Sequence, residues 1–310
     1  MIATSSARFF PKPLKLKGTI GIVSPGCWAE PAWIETAKDR LEEAGYRVEI
    51  HAQNYLKKGS LAGSDEARAE ALIDMFADQT IDAVLCARGG TGCLQLLDKI
   101  DYKLISKCPK PFIGFSDVTV LLQAIAKNCG FVTFHGPMVW NLGREGDKSS
   151  LPDLLSVMAE SEEKRFQKRF SEVEVARSGK AEGSLWGGNL TLLQNLVGTP
   201  FDFPAKDSVL FIEETAEAPY RIARMLEHFK LAGKLKPIRA VIVGEMTELQ
   251  EDSLSMGADL RDIVLDAFPA EVPMCFDFPC GHGDYLTTLP VGAHVHVSMS
   301  AQGVDLSFIR

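Results

Sequence analysis

Four short stretches carry residue types that could do chemistry together. "IGFSDVT", 113–119, ends an apolar run in Ser116 and Asp117 and passes into a helical pattern. A serine on such a strand-to-helix turn has its hydroxyl exposed, and the next backbone N–H faces the same point. The helix start adds partial positive charge where an oxyanion would develop. The second glycine of G-x-S-x-G is missing, because position 118 is Val, and a serine at this junction is more commonly a helix cap. "CARGGTG", 86–92, follows an apolar strand with three glycines in five residues. Its N–H groups suit an anion or oxyanion, and Arg88 could grip a carboxylate with two parallel hydrogen bonds. It has neither the spacing nor the lysine of a P-loop.

"LFIEE", 210–214, finishes a strand in two carboxylates that pleat to opposite faces, so only one of Glu213 and Glu214 can serve a given site. "FPCGHGDY", 278–285, sets His282 between two glycines, free to reach a neighbour. A serine nucleophile needs a base for its proton and a third group to fix the tautomer of that base. The economical assembly is Ser116, His282 and one of Glu213 and Glu214. His294 and His296 alternate in "HVHVSM" as one polar strand face. No third ligand is evident beside them, so no metal site is expected, and no cofactor.

These residues need a frame. The first half alternates β-like runs ("TIGIVSPG", "RVEIHA", "IDAVLCARGG", "PFIGFSD") with amphipathic helical patterns, which predicts βαβ units and a parallel sheet buried on both faces. Loops 24–27, 88–92 and 115–117 then lie at carboxyl ends of strands, where open α/β sheets bind ligands. Residues 1–145 are expected as this domain and 146–182, charge-rich with little apolar periodicity, as a crossover. Residues 183–310 are expected as a smaller mixed α/β domain carrying Glu213 and His282, with antiparallel pairs at its end. Serine and histidine would meet in the cleft between the domains.

Composition narrows the classes. The 310 residues are 46% hydrophobic and 24% charged, which fits a folded chain with ample core rather than a disordered or membrane-embedded one. A net charge of -8 argues against nucleic acid, since phosphate binding draws on clustered Lys and Arg. The basic "PKPLKLKG" at 11–18 reads as a solvated lead-in to the first strand. No stretch could span a bilayer, and "MIATSSARFFPKPLKLKG" lacks an apolar signal region, so a cytoplasmic location is expected. Seven cysteines without a C-x-x-C suit reduced, buried thiols.

The ordered set "GIVSPG", "ARGGTG", "GFSDVT", "HGPM", "GSLWGGNLTLL", "LFIEE", "VIVGE" and "GHGDYLTTLPVG" resembles the LD-carboxypeptidases, serine peptidases of family S66, which include the microcin C immunity peptidases. The resemblance implies a flavodoxin-like N-terminal domain and a smaller mixed α/β C-terminal domain. It implies Ser116 as nucleophile, Glu213 as the carboxylate, His282 as base, and the N–H groups of Asp117 and Gly90 as oxyanion hole. It implies cleavage of the bond between the L-centre of meso-diaminopimelate and terminal D-alanine in murein tetrapeptides, by a cytosolic homodimer in cell-wall recycling. Arg88 is the expected partner of the substrate carboxylate; Trp186 and Asn189 are further expected substrate contacts. A stacking Trp186 would suit a second member of the family, an immunity-type peptidase for peptidyl or aminoacyl nucleotides. Two readings from different classes stay open beside these. One is a flavodoxin-like protein that only binds a ligand; the second is a glutaminase-like enzyme, which would need Cys where Ser116 stands.

Overall fold

The computed structural model describes residues 8–144, 150–159, 165–250 and 257–309. The chain divides into two compact units, one of residues 1–163 and 284–292, the other of 164–283 and 293–310.

In the first unit the elements run β1 (Thr19–Val23), α1 (Pro31–Glu43), β2 (Arg47–Ile50), α2 (Asp65–Ala77), β3 (Ala83–Cys86), α3 (Tyr102–Ile105), β4 (Phe112–Gly114), α4 (Thr119–Cys129), β5 (Thr133–His135), α5 (Val139–Leu142) and α6 (Ser150–Ala159). Strands β2, β1, β3, β4 and β5 pair in that order, all parallel. This is the 2-1-3-4-5 order of flavodoxin-like sheets. The apolar runs of β1, β3 and β4 are almost wholly buried because helices cover both faces of a parallel sheet. Pro31 opens α1 with its fixed φ, and the Ser64 hydroxyl accepts from the N–H of Ala67 to cap α2. Helix α4 buries nine of its eleven residues and stops at Gly130, whose φ of 79° only glycine adopts without strain.

The second unit holds β6 (Arg165–Phe170), β7 (Glu174–Arg177), β8 (Gly179–Asn189), α7 (Leu190–Leu196), β9 (Ser208–Thr215), α8 (Pro219–Leu231), β10 (Ile238–Thr247), α9 (Leu260–Ala267) and β11 (Met274–Phe278). The chain then gives β12 (Leu289–Val291) to the first unit, antiparallel beside β5, and returns with β13 (His294–Ser300) and β14 (Gly303–Ile309). The eight-stranded sheet runs β6-β14-β13-β8-β9-β10-β11-β7. Its middle, β8 to β11, is parallel, and antiparallel pairs flank it on both sides. The protein is thus α/β, a flavodoxin-like parallel sheet followed by a mixed one. No disulfide links the seven cysteines, and Cys108 alone is partly exposed. No described helix is long and apolar enough to cross a membrane.

Candidate active site

Two groups of side chains, one in each unit, hold the residues singled out by sequence. In the first unit, β4 runs into Phe115, extended at φ -155°, and then into Ser116 at φ 60°. A left-handed backbone at a non-glycine residue costs on the order of 1–3 kcal/mol and persists only where its surroundings impose it. One 3-10 turn, Ser116–Val118, leads straight into α4, so Ser116 stands half-buried at the amino end of a buried helix. The N-cap positions of the turn and of α4 are Phe115 and Val118, so Ser116 is the N-cap of neither.

The glycine turn packs directly on this elbow. A Cβ built on Gly89 would lie 2.9 Å from the Ser116 Cβ and 3.1 Å from its Oγ. Position 89 is therefore glycine because the turn must approach the hydroxyl this closely. Gly90 is exposed at φ 91°, and a Cβ there would strike the Cys27 sulfur. Among the described residues, no turn or loop hydrogen bond engages the N–H of Gly90 or of Asp117. Replacing Gly89 with Ala is expected to push the Ser116 hydroxyl aside and lower kcat by about 100-fold, the scale of a 1 Å misplacement, with KM little changed. Steady-state kinetics beside a thermal melt measure this.

The turn has its own supports. The Asp117 carboxylate accepts the Cys93 N–H at 2.8 Å, tying the end of the turn to the elbow, and burial raises its pKa despite that bond. The Cys27 N–H donates to the Gly89 carbonyl at 2.9 Å. Arg68, wholly buried on α2, donates to the carbonyls of Pro25 and Gly92 and pairs with Asp65. It thereby joins the loops after β1 and β3, the switch point of the sheet. Sequence reasoning missed Arg68, since an arginine in an amphipathic helix reads as solvent-facing. Arg88 is half-buried, donates one N–H to the Trp28 carbonyl at 3.2 Å and lies 5.8 Å from the Trp33 ring centre.

In the second unit, the opposed carboxylates of β9 divide as the pleat requires. Glu213, 0% exposed, meets Nδ1 of His282 through Oε2 at 2.8 Å. Glu214 turns the other way and accepts from Asn189 Nδ2 at 2.8 Å, the Thr191 N–H at 2.9 Å and the Thr191 hydroxyl at 2.7 Å. Burial pushes the Glu213 carboxyl above its usual range, although the His282 hydrogen bond and charge oppose this. For His282, burial lowers the pKa, but the hydrogen bond to Glu213 and the charges of Glu213, Glu214 and Glu248 outweigh it, and the net shift is upward. A neutral imidazole bonded through Nδ1–H to a carboxylate presents Nε2 as a base.

Glu245 of β10 is a residue sequence reasoning missed in "VIVGE". Its Oε2 accepts the Gly281 N–H at 2.7 Å, and a Cβ on Gly283 would strike its carboxylate. Burial raises its pKa. The two glycines flanking His282 thus let the loop fold onto Glu245, which makes Glu245 a positioning residue for the imidazole. Glu245→Ala is expected to lower kcat about tenfold at unchanged KM, since a small misorientation of a catalytic group costs one to two decades; Glu245→Gln keeps an acceptor and is expected to restore it. Paired kinetics of the two variants separate this role from a general loss of stability.

Asn189 caps α7, accepting the Leu192 N–H at 3.2 Å, and Trp186 is 0% exposed. Both polar ends of Asn189 are thus engaged within the unit, and the Trp186 ring is enclosed by packing.

Two family profiles cover most of the chain. The profile of the LD-carboxypeptidase N-terminal domain of peptidase family S66 matches residues 20–136, and that of the C-terminal domain matches 182–297. A probable murein peptide carboxypeptidase of Bacillus subtilis is 36% identical over 293 residues, 93% of this chain and 91% of that protein. The crystal structure of muramoyltetrapeptide carboxypeptidase from Oxalobacter formigenes superposes with a TM-score of 0.85 at 29% identity, over 94% of this chain and 99% of that one. The microcin C7 self-immunity protein in complex with aspartyl sulfamoyl adenosine shares the fold, with a TM-score of 0.88 at 21% identity over 97% of this chain and 98% of that one. The chain therefore belongs to the LD-carboxypeptidase family S66 and is a serine-type carboxypeptidase, a hydrolase.

Proposed function

We propose that the protein releases the terminal D-alanine of a murein tetrapeptide through an acyl-enzyme on Ser116, with His282 as base and Glu213 as its orienting carboxylate. The observation that carries the reading is the contact at 2.8 Å between the buried Glu213 and the half-buried His282, an imidazole held through Nδ1 so that Nε2 is the atom that moves a proton. The serine hydroxyl attacks the carbonyl carbon of the L,D-peptide bond while Nε2 takes its proton. The carbonyl oxygen becomes an oxyanion, for which the N–H groups of Gly90 and Asp117 are the donors. The imidazolium then protonates the leaving nitrogen, the D-amino acid departs, and a water deprotonated by His282 hydrolyses the ester. The muramoyltetrapeptide and murein peptide names of the relatives support this substrate class. A cytosolic site of action and a homodimer go with the reading, both from the family resemblance.

A carboxypeptidase must read the free carboxylate that follows the scissile bond. Arg88 stands next to the glycine turn and still has donors to give after its bond to Trp28. Arg88→Ala is expected to raise KM by about 100-fold or more with a smaller change in kcat, because a charge-assisted bidentate contact contributes on the order of 3 kcal/mol. An unchanged KM removes the role.

The experiment for the function is a mass-spectrometric assay with murein tetrapeptide and a peptidyl-nucleotide conjugate side by side. Loss of one alanine from the tetrapeptide supports the reading. Turnover of the conjugate alone moves the protein to nucleotide-peptide chemistry, for which the enclosed Trp186 offers no stacking face.

A further inference from the structure

The polar face of the β8–β13 pair carries a second constellation, apart from the Ser116 elbow and the Glu213–His282 pair. In the antiparallel register His296 lies directly opposite Glu182, and His294 opposite Ser184. The side-chain period of two puts His294, His296 and Glu182 on one face of the sheet. Their alternating neighbours Val295 and Val297 are buried on the other. His294 and His296 are half-buried and Glu182 is exposed, so the face is open to solvent. His296 Nδ1 is 3.1 Å from Glu182 Oε2, and the two imidazole rings meet nearly at right angles, 82°, with centroids 5.3 Å apart. One ligating atom from each of the three residues falls within 4.8 Å of the others.

We propose that Glu182, His294 and His296 bind one divalent transition-metal ion of the zinc class. Ligands held at about 2.0–2.2 Å on a tetrahedral ion stand roughly 3.4 Å apart, so the Glu182–His296 pair is already at bite distance and small side-chain rotations close the third. Two imidazoles and a carboxylate are a donor set that zinc takes in open, three-ligand sites, and imidazole suits copper and nickel as well. A lone Glu–His ion pair would account for Glu182 and His296 but leaves His294 without a reason to turn its ring toward them. The pattern is hidden from sequence, because Glu182 lies 112 positions before His294 and only the strand register brings the two together.

Beside the cluster runs a surface groove of about 420 Å³, lined by Lys180, Glu182, His296, Ser298, Asp305 and Ser307. Asp305 is engaged with Arg169 at 3.6 Å, which leaves the Glu182 carboxylate as the acid of the site. An ion here ties β8 to β13 by bonds that the unfolded chain lacks, so it stabilises the folded state by mass action.

The test is calorimetric titration of the full-length, chelator-treated, reduced protein with zinc alone, followed by cobalt as a spectroscopic probe. Wild type is expected to bind one ion per chain, to melt at higher temperature with zinc than in chelator, and to give a cobalt spectrum without the thiolate charge-transfer band of a cysteine site. His294→Ala and His296→Ala are expected each to weaken binding by more than the roughly 10- to 100-fold that loss of a mere outer partner costs. Because these side chains are on the surface, both variants are expected to melt like wild type in chelator; Glu182→Gln, which keeps size and hydrogen bonding, is the check if one does not. Failure of wild type to take up zinc overturns the proposal, as does stoichiometric binding that survives both histidine substitutions or a cobalt spectrum dominated by thiolate. Activity is not the readout, so the result is independent of the peptidase reading.

Discussion

Ser116→Ala is expected to lower kcat on tetrapeptide by about 10⁵–10⁶-fold while leaving the thermal melt near that of wild type, since removal of a serine nucleophile in a triad costs that much. Ser116→Gly is expected to be equally inactive and yet more stable. At φ 60° a side chain is strained and glycine is not, so relief of the strain offsets the entropy that glycine adds to the unfolded chain. A gain of about 1 kcal/mol follows from the cost of left-handed backbone at non-glycine residues. The pair of variants separates two explanations of the turn. A serine kept for structure would leave both variants active; a serine held in strain for chemistry gives two inactive proteins, of which the glycine form melts higher.

Glu213→Gln is the second large effect, with an expected fall in kcat of about 10⁴-fold, the scale seen when a triad carboxylate becomes an amide and the imidazole takes the wrong tautomer. The pH profile carries the sharper information. In the proposed mechanism His282 must be neutral to act as base, and its pKa lies above the ordinary imidazole value. In wild type, kcat/KM should therefore rise with pH and level off only above the usual imidazole range. Glutamine takes away the hydrogen-bonded negative charge that raises the pKa and leaves the burial that lowers it. The acid limb of the residual activity is thus expected to move to lower pH, even as the plateau falls. A limb that stays in place would assign it to another group, such as Glu245, whose carboxyl burial also raises.

Much of the first unit is legible in the chain. The apolar runs of β1, β3 and β4 and the helical patterns between them give the parallel sheet, because strands buried on two faces have no room for polar residues. The elbow at Ser116 and the opposed pair at Glu213 and Glu214 follow from junction chemistry and strand pleat. Strands β6 and β7 do not show, because "RFQKRF" and "EVAR" form the two edges of the second sheet, where charge blunts the open hydrogen-bonding row. Nor does the return of β12 to the first unit, since a three-residue strand carries no periodicity.

The parts of the site that sequence reasoning missed have a common cause. Arg68 and Glu245 act through backbone atoms distant in sequence, Pro25 and Gly92 for the one and Gly281 for the other. Backbone acceptors and donors carry no residue-type signal, so an arginine or glutamate that serves them looks like any surface charge. The close approach of Gly89 to Ser116 is of the same kind: the sequence offers three glycines in the turn, and only the folded backbone shows which one the hydroxyl requires.

The most direct measurement is a rapid acid quench of wild-type protein with murein tetrapeptide, followed by peptide mapping by mass spectrometry alongside turnover of Ser116→Ala. Nucleophilic attack by Ser116 predicts a transient tripeptidyl ester on the peptide containing residues 113–119, located on Ser116, and no turnover by the variant. An adduct on any other residue, or tetrapeptide hydrolysis by Ser116→Ala at the wild-type rate, would contradict it.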